Sequence, residues 1–62
     1  MKYNELHRLL RKHGCYPTGD ENGGHPSWYS PTTGKTFPTS HHLSQEVAKG
    51  TLKSILKLAG VK

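Results

Sequence analysis

The apolar positions gather in two stretches of helical period, separated by a polar middle rich in glycine and proline. In the first stretch Tyr3, Leu6, Leu9, Leu10 and His13 recur at spacings of three and four, with Arg8, Arg11 and Lys12 between them. That spacing puts one apolar stripe toward a core and leaves a basic face to solvent. The cations near the end of the stretch also suit the negative pole of a helix, and Gly14 supplies the stop. The pattern predicts a helix over residues 3–13. In the second stretch Leu52, Ile55, Leu56 and Ala59 form an apolar stripe, Lys49, Lys53 and Lys57 form a basic one, and Gly60 ends the run. A helix is predicted over residues 49–59. Thr51 is a plausible cap, with Lys49 and Gly50 alternatively already in the first turn.

Residues 15–46 carry all four prolines and Gly19, Gly23, Gly24 and Gly34. CYPT (15–18) reads as a short strand and TGDENGG (18–24) as a polar turn. HPSWYS (25–30) holds aromatic strand formers, PTTG (31–34) is a turn signal, and KTF (35–37) begins a third strand. Pro17 and Pro26 lack an N–H and belong at strand edges or starts. The predicted order is helix, three strands, helix. A three-stranded antiparallel meander must cover its apolar face, and two amphipathic helices side by side can do so while the other face stays wet. The expected class is α+β, as one domain over residues 1–62.

A chain of 62 residues buries about 60% of the surface that its unfolded form exposes. With 31% hydrophobic residues it has enough for one small core. Nine Lys and Arg against four Asp and Glu give a net charge of +5. Such a balance favours a polyanionic partner, whether nucleic acid, an anionic membrane surface or an acidic protein, or it serves solubility alone. The single cysteine, Cys15, excludes an internal disulfide and reads as a small packed hydrophobe. No apolar run approaches the ~20 residues of a spanning helix and no signal peptide is visible, so the cytoplasm is expected and a membrane is not.

Four features resemble the HicA family of toxins from bacterial toxin–antitoxin modules. They are the first helix ending in KHG (Lys12 to Gly14), the glycine-glycine-histidine of Gly23 to His25, the turn Pro31 to Gly34, and KGTLKSILKLAG from Lys49 to Gly60. The resemblance spans essentially the whole chain. It implies a double-stranded-RNA-binding-like fold with both helices on one face of the sheet, ribonuclease activity on messenger RNA, and neutralisation by a HicB-type antitoxin. It also places the family's catalytic histidine at His25. Gly24 stands where the family usually has serine, Pro26 where many members have a second histidine, and Ser40-His41-His42 where many have Pro-x-His.

RNA carries its own nucleophile, so an imidazole that titrates near neutral pH can serve as general acid or base without a metal. His25 is the candidate. Gly23 and Gly24 let the backbone approach a phosphate. Trp28 is a candidate surface for stacking an unpaired base, although strand alternation sends Trp28 and Tyr29 to opposite faces and only one of them can meet RNA. Lys49 and Lys53, at the start of the second helix, are expected to contact RNA phosphates and Lys57 to be solvated. His42 is a candidate second acid–base group or phosphate contact, and the role of His41 stays open. His7 and His13 read as packing or surface residues. One cysteine and scattered histidines give poor zinc spacing, so no metal or other cofactor is expected. Two other readings remain: a non-catalytic RNA-binding module, and an interaction protein for an acidic partner.

Overall fold

The computed structural model describes residues 1–61, apart from the side chain of Asn22. Helix α1 spans Tyr3–Lys12, one residue short of the expected end because His13 leaves helical geometry, and Gly14 (φ +85°) then turns the chain. Its apolar stripe buries Tyr3, Leu6 and Leu10, while His13 is exposed. The first-turn N–H groups, which no helical carbonyl can reach, find partners elsewhere. Tyr3 N–H donates to the Gln45 carbonyl and Asn4 N–H to the Leu43 carbonyl, both at 3.1 Å. The Glu5 carboxylate accepts from Lys2 N–H at 3.1 Å.

The sheet is antiparallel, with β1 (Tyr16–Asn22), β2 (His25–Ser30) and β3 (Lys35–Pro38) side by side in chain order. Residues 18–24, expected as a turn, are mostly strand: β1 continues to Asn22 and the turn shrinks to Gly23-Gly24. Both glycines have positive φ, +60° and +83°, which is what a two-residue hairpin matching the strand twist demands. The polar run is accommodated by a bulge. Pro17 pairs with Trp28 and Glu21 with Pro26, so three residues of β1 face one of β2. Gly19 (φ +93°) lies inside that bulge, a conformation cheap only for glycine. Pro17 sits on an edge strand and Pro26 at the start of the central one, as their missing donors require.

Helix α2 spans Lys49–Ala59, as expected, but its N-cap is Ala48, so Thr51 lies inside the helix. Its C-terminus is tied to the sheet. Gly60 adopts φ +77°, Val61 N–H donates to the Leu56 carbonyl at 3.0 Å, and the buried Ser30 hydroxyl donates to the Ala59 carbonyl at 2.7 Å. Both helices cover the same face, in a core that joins Leu6 and Leu10 of α1, Ile55 and Ala59 of α2, and Trp28 and Phe37 of the sheet. Cys15 and Val47 complete that core.

Two substitutions test this packing. Leu6→Ala, at a site with no solvent exposure, is expected to cost about 2–5 kcal/mol, read by chemical denaturation. In Gly60→Ala, the new Cβ would lie 2.9 Å from Thr33 Cγ2 in a left-handed backbone. The expected loss exceeds the ~1 kcal/mol that such a conformation alone costs, and a Tm equal to that of the parent would refute the tight seat of this turn.

Candidate functional site

His25 is the first residue of β2 and follows directly on the glycine turn. It is exposed, and so are Gly23 and Gly24. A Cβ built on either glycine would meet nothing within 4 Å, so the backbone here is open to an approaching ligand. Alternation along β2 assigns the faces. Trp28 and Ser30 are buried toward the helices, so His25 and Tyr29 belong to the opposite face. Ser27 shares their parity but is buried across from the bulge in β1.

Trp28 is not a surface for RNA bases, contrary to the sequence expectation. It is only 3% exposed. Phe37 pairs with it across the sheet, the His7 ring lies 4.7 Å from its own, and the Arg11 guanidinium sits 5.1 Å from the ring centroid, at cation–π distance. Its bulk is the largest single contribution that one side chain of this small core can make, and helix α1 covers it. Tyr29 is the outward member of the pair. Its ring lies 5.6 Å from that of its cross-strand partner Tyr16, itself 49% exposed.

Lys49, Lys53 and Lys57 are all exposed on α2. With Ala59 fastened at Ser30, the 11-residue helix, about 16 Å long, runs back along β3 toward the end of the sheet where β2 begins. Lys49 therefore lies at the same end of the sheet as His25. No side chain caps the helix start there and no acidic residue lies in its first turn, which leaves the positive pole available to an anion. His42 is exposed in the segment that precedes α2, and its N–H donates to the Ser40 hydroxyl at 3.0 Å.

Three contacts were not legible in the sequence. His41 Nε2 forms an ion-pair contact with Glu21 Oε1, which fastens the β3–α2 segment to the strand beside His25. Glu21 gave no signal because the sequence placed it in a turn. His7 Nε2 and Thr39 Oγ1 share a hydrogen bond at 3.0 Å. The Met1 amino group pairs with Glu46, holding the Glu46 carboxyl below its ordinary range and the amine above its own, the direct hydrogen bond being the main cause for each. Among the described residues no three His, Cys, Asp or Glu side chains gather as a set that could hold a metal ion. Among the same residues no helix is long and apolar enough to cross a membrane.

The fold and this surface together define a small basic α+β protein of the double-stranded-RNA-binding-like class, with a histidine presented on a glycine turn. The family model described as HicA toxin of bacterial toxin-antitoxin matches residues 3–61. The chain belongs to that family: it is a toxin of the toxin–antitoxin type, and an antitoxin is its counterpart. Searches among curated proteins and among solved structures returned no match.

His7 makes the fold sensitive to acid. Burial first, then the nearby charges of Arg11 and His41, lower its pKa from 6.5. The unfolded chain therefore binds this proton more readily, and the stabilisation is complete above about pH 6.5 and lost as pH falls through the lowered value. The Glu46 pairing acts in a separate window, below 4.5. Denaturation midpoints should drop between pH 7 and pH 5 in the parent, and His7→Gln should flatten that slope.

Proposed function

We propose that this toxin is a metal-independent endoribonuclease that cleaves messenger RNA, with His25 as general acid or base. One observation carries the reading: an exposed imidazole directly after an open glycine turn, at the lysine-bearing end of the sheet. The chemistry needs little more. The ribose 2′-hydroxyl loses its proton to an imidazole nitrogen as its oxygen bonds to phosphorus, the bond from phosphorus to the 5′-oxygen breaks, and that oxygen takes up a proton. The products are a 2′,3′-cyclic phosphate and a free 5′-hydroxyl. One placed acid–base group contributes about 10² to 10⁴ in rate. Gly23 and Gly24 admit the phosphate backbone. Lys49 and Lys53 hold phosphates, helped by the uncapped start of α2. His42 serves as a second proton-transfer group or a phosphate contact. RNA in the cytoplasm is the substrate, and a HicB-type antitoxin would cover the basic surface and His25 together, with opposite charge speeding its capture. No metal or membrane takes part.

His25→Ala should keep the fold, because the side chain is exposed, and should reduce cleavage of messenger RNA in EDTA by about 10²-fold or more. Undiminished cleavage by this variant would refute the role of His25. RNA binding by the parent without product would favour a non-catalytic RNA-binding module. Negligible RNA affinity even at low salt would favour an acidic protein partner. Lys49→Ala and Lys53→Ala should each weaken RNA binding across sequences and reduce the salt slope by about 1.

A further inference from the structure

A groove of about 270 Å³ opens on the helix side of the sheet, between α1, the start of the β1–β2 hairpin and the segment that follows β3. Its walls are the apolar surfaces of Pro17, Pro26 and Leu43, Trp28 closes its floor, and the imidazoles of His7 and His41 stand at its edge. Pro26 directly follows His25 in the chain. Glu21, the cross-strand partner of Pro26, holds His41. The groove thus shares a strand with the histidine that presents itself to RNA, on the reverse side of that strand.

We infer that this groove is a subsite for one unpaired nucleobase, next to the phosphate held at His25. The inference rests on the RNA-cleaving function proposed above. Size limits the occupant: 270 Å³ lies below the usual ~300–1,000 Å³ range of small-molecule sites, which suits a single flat ring system and excludes a base pair. Chemistry selects it further. A base presents two apolar faces and a polar edge. The groove offers apolar walls with imidazoles at the rim, each able to give one donor and one acceptor when neutral. His7 is biased to that neutral form by its burial. The net charge of +5 favours a ligand on a polyanionic strand over a free neutral one. A strand crossing the end of the sheet can set its phosphate at His25 and turn the adjoining base inward behind Pro26, which requires that base to be unpaired. Cleavage by this chain is therefore directed to single-stranded segments.

Trp28 is the only tryptophan, so its fluorescence reports on the groove directly. The full chain is titrated with a 2′-O-methyl tetranucleotide, which lacks the attacking hydroxyl and cannot be cut. The expected result is a saturable change in Trp28 emission, absent when the tetranucleotide is replaced by an abasic chain of equal length or by duplex RNA. Leu43→Ala is expected to keep the fold, because the side chain is 49% exposed, and to weaken that binding about 5- to 150-fold, the range for loss of one stacked base. Binding seen by anisotropy with unchanged Trp28 emission would overturn the subsite, as would equal affinity of Leu43→Ala and parent. A Trp28 response to the antitoxin alone, and none to RNA, would assign the groove to the protein partner and overturn the base. A parent that fails to cut unmodified RNA but shows the full Trp28 titration would overturn the nuclease reading while supporting the base pocket, so the two failures are separable.

Discussion

The inward placement of Trp28 sets the phase of the whole sheet. A strand has a period of two, so fixing one side chain toward the helices fixes every other along it. Burying the indole under α1 and beside Phe37 sends His25 and Tyr29 outward. A slip of one residue would expose the largest apolar surface in the chain and bury an imidazole, and both changes are costly. The orientation of the histidine is thus a consequence of core packing some three residues away.

The second constraint is that the segment between β3 and α2 is not a free loop. Its carbonyls at Leu43 and Gln45 accept the first-turn N–H groups of α1, Val47 N–H donates to the Met1 carbonyl at 2.9 Å, and Thr39 N–H donates to the Pro26 carbonyl at 3.0 Å. The Val47 side chain is buried in the core. These bonds do two jobs at once. They satisfy a helix end that carries no capping hydroxyl of its own, and they hold His41 and His42 at the end of the sheet where His25 stands. The Glu21–His41 contact then joins this segment to the hairpin from the other side.

Family membership and geometry meet at α2. The motif from Lys49 to Gly60 is the most specific part of the match, and it is also the part most firmly anchored. Ser30 holds its last carbonyl, and Gly60 can turn there only because a Cβ would strike Thr33. Fixing the C-terminus of a rigid helix aims its N-terminus, and with it Lys49 and Lys53, two turns and one turn away along a defined axis.

Both helices, the three strands and their order were written in the local pattern of the chain, because apolar period, glycine stops and proline placement act over a few residues. His25, Gly23, Gly24 and the lysines were legible for the same reason: each is an exposed residue whose position depends on its own turn or helix. The extent of β1 was not legible, since a polar run such as TGDEN reads as a turn until a bulge around Gly19 lets it pair. Nor was the fate of the Trp28–Tyr29 pair, because alternation gives opposite faces without saying which is inside. Only packing against α1 and Phe37 decided that, together with the groove behind Pro26 and the contacts of His7, His41 and Glu21. Those partners lie 20 or more residues apart in sequence, and distances of that kind are set by the docking of helices on the sheet, which no local periodicity encodes.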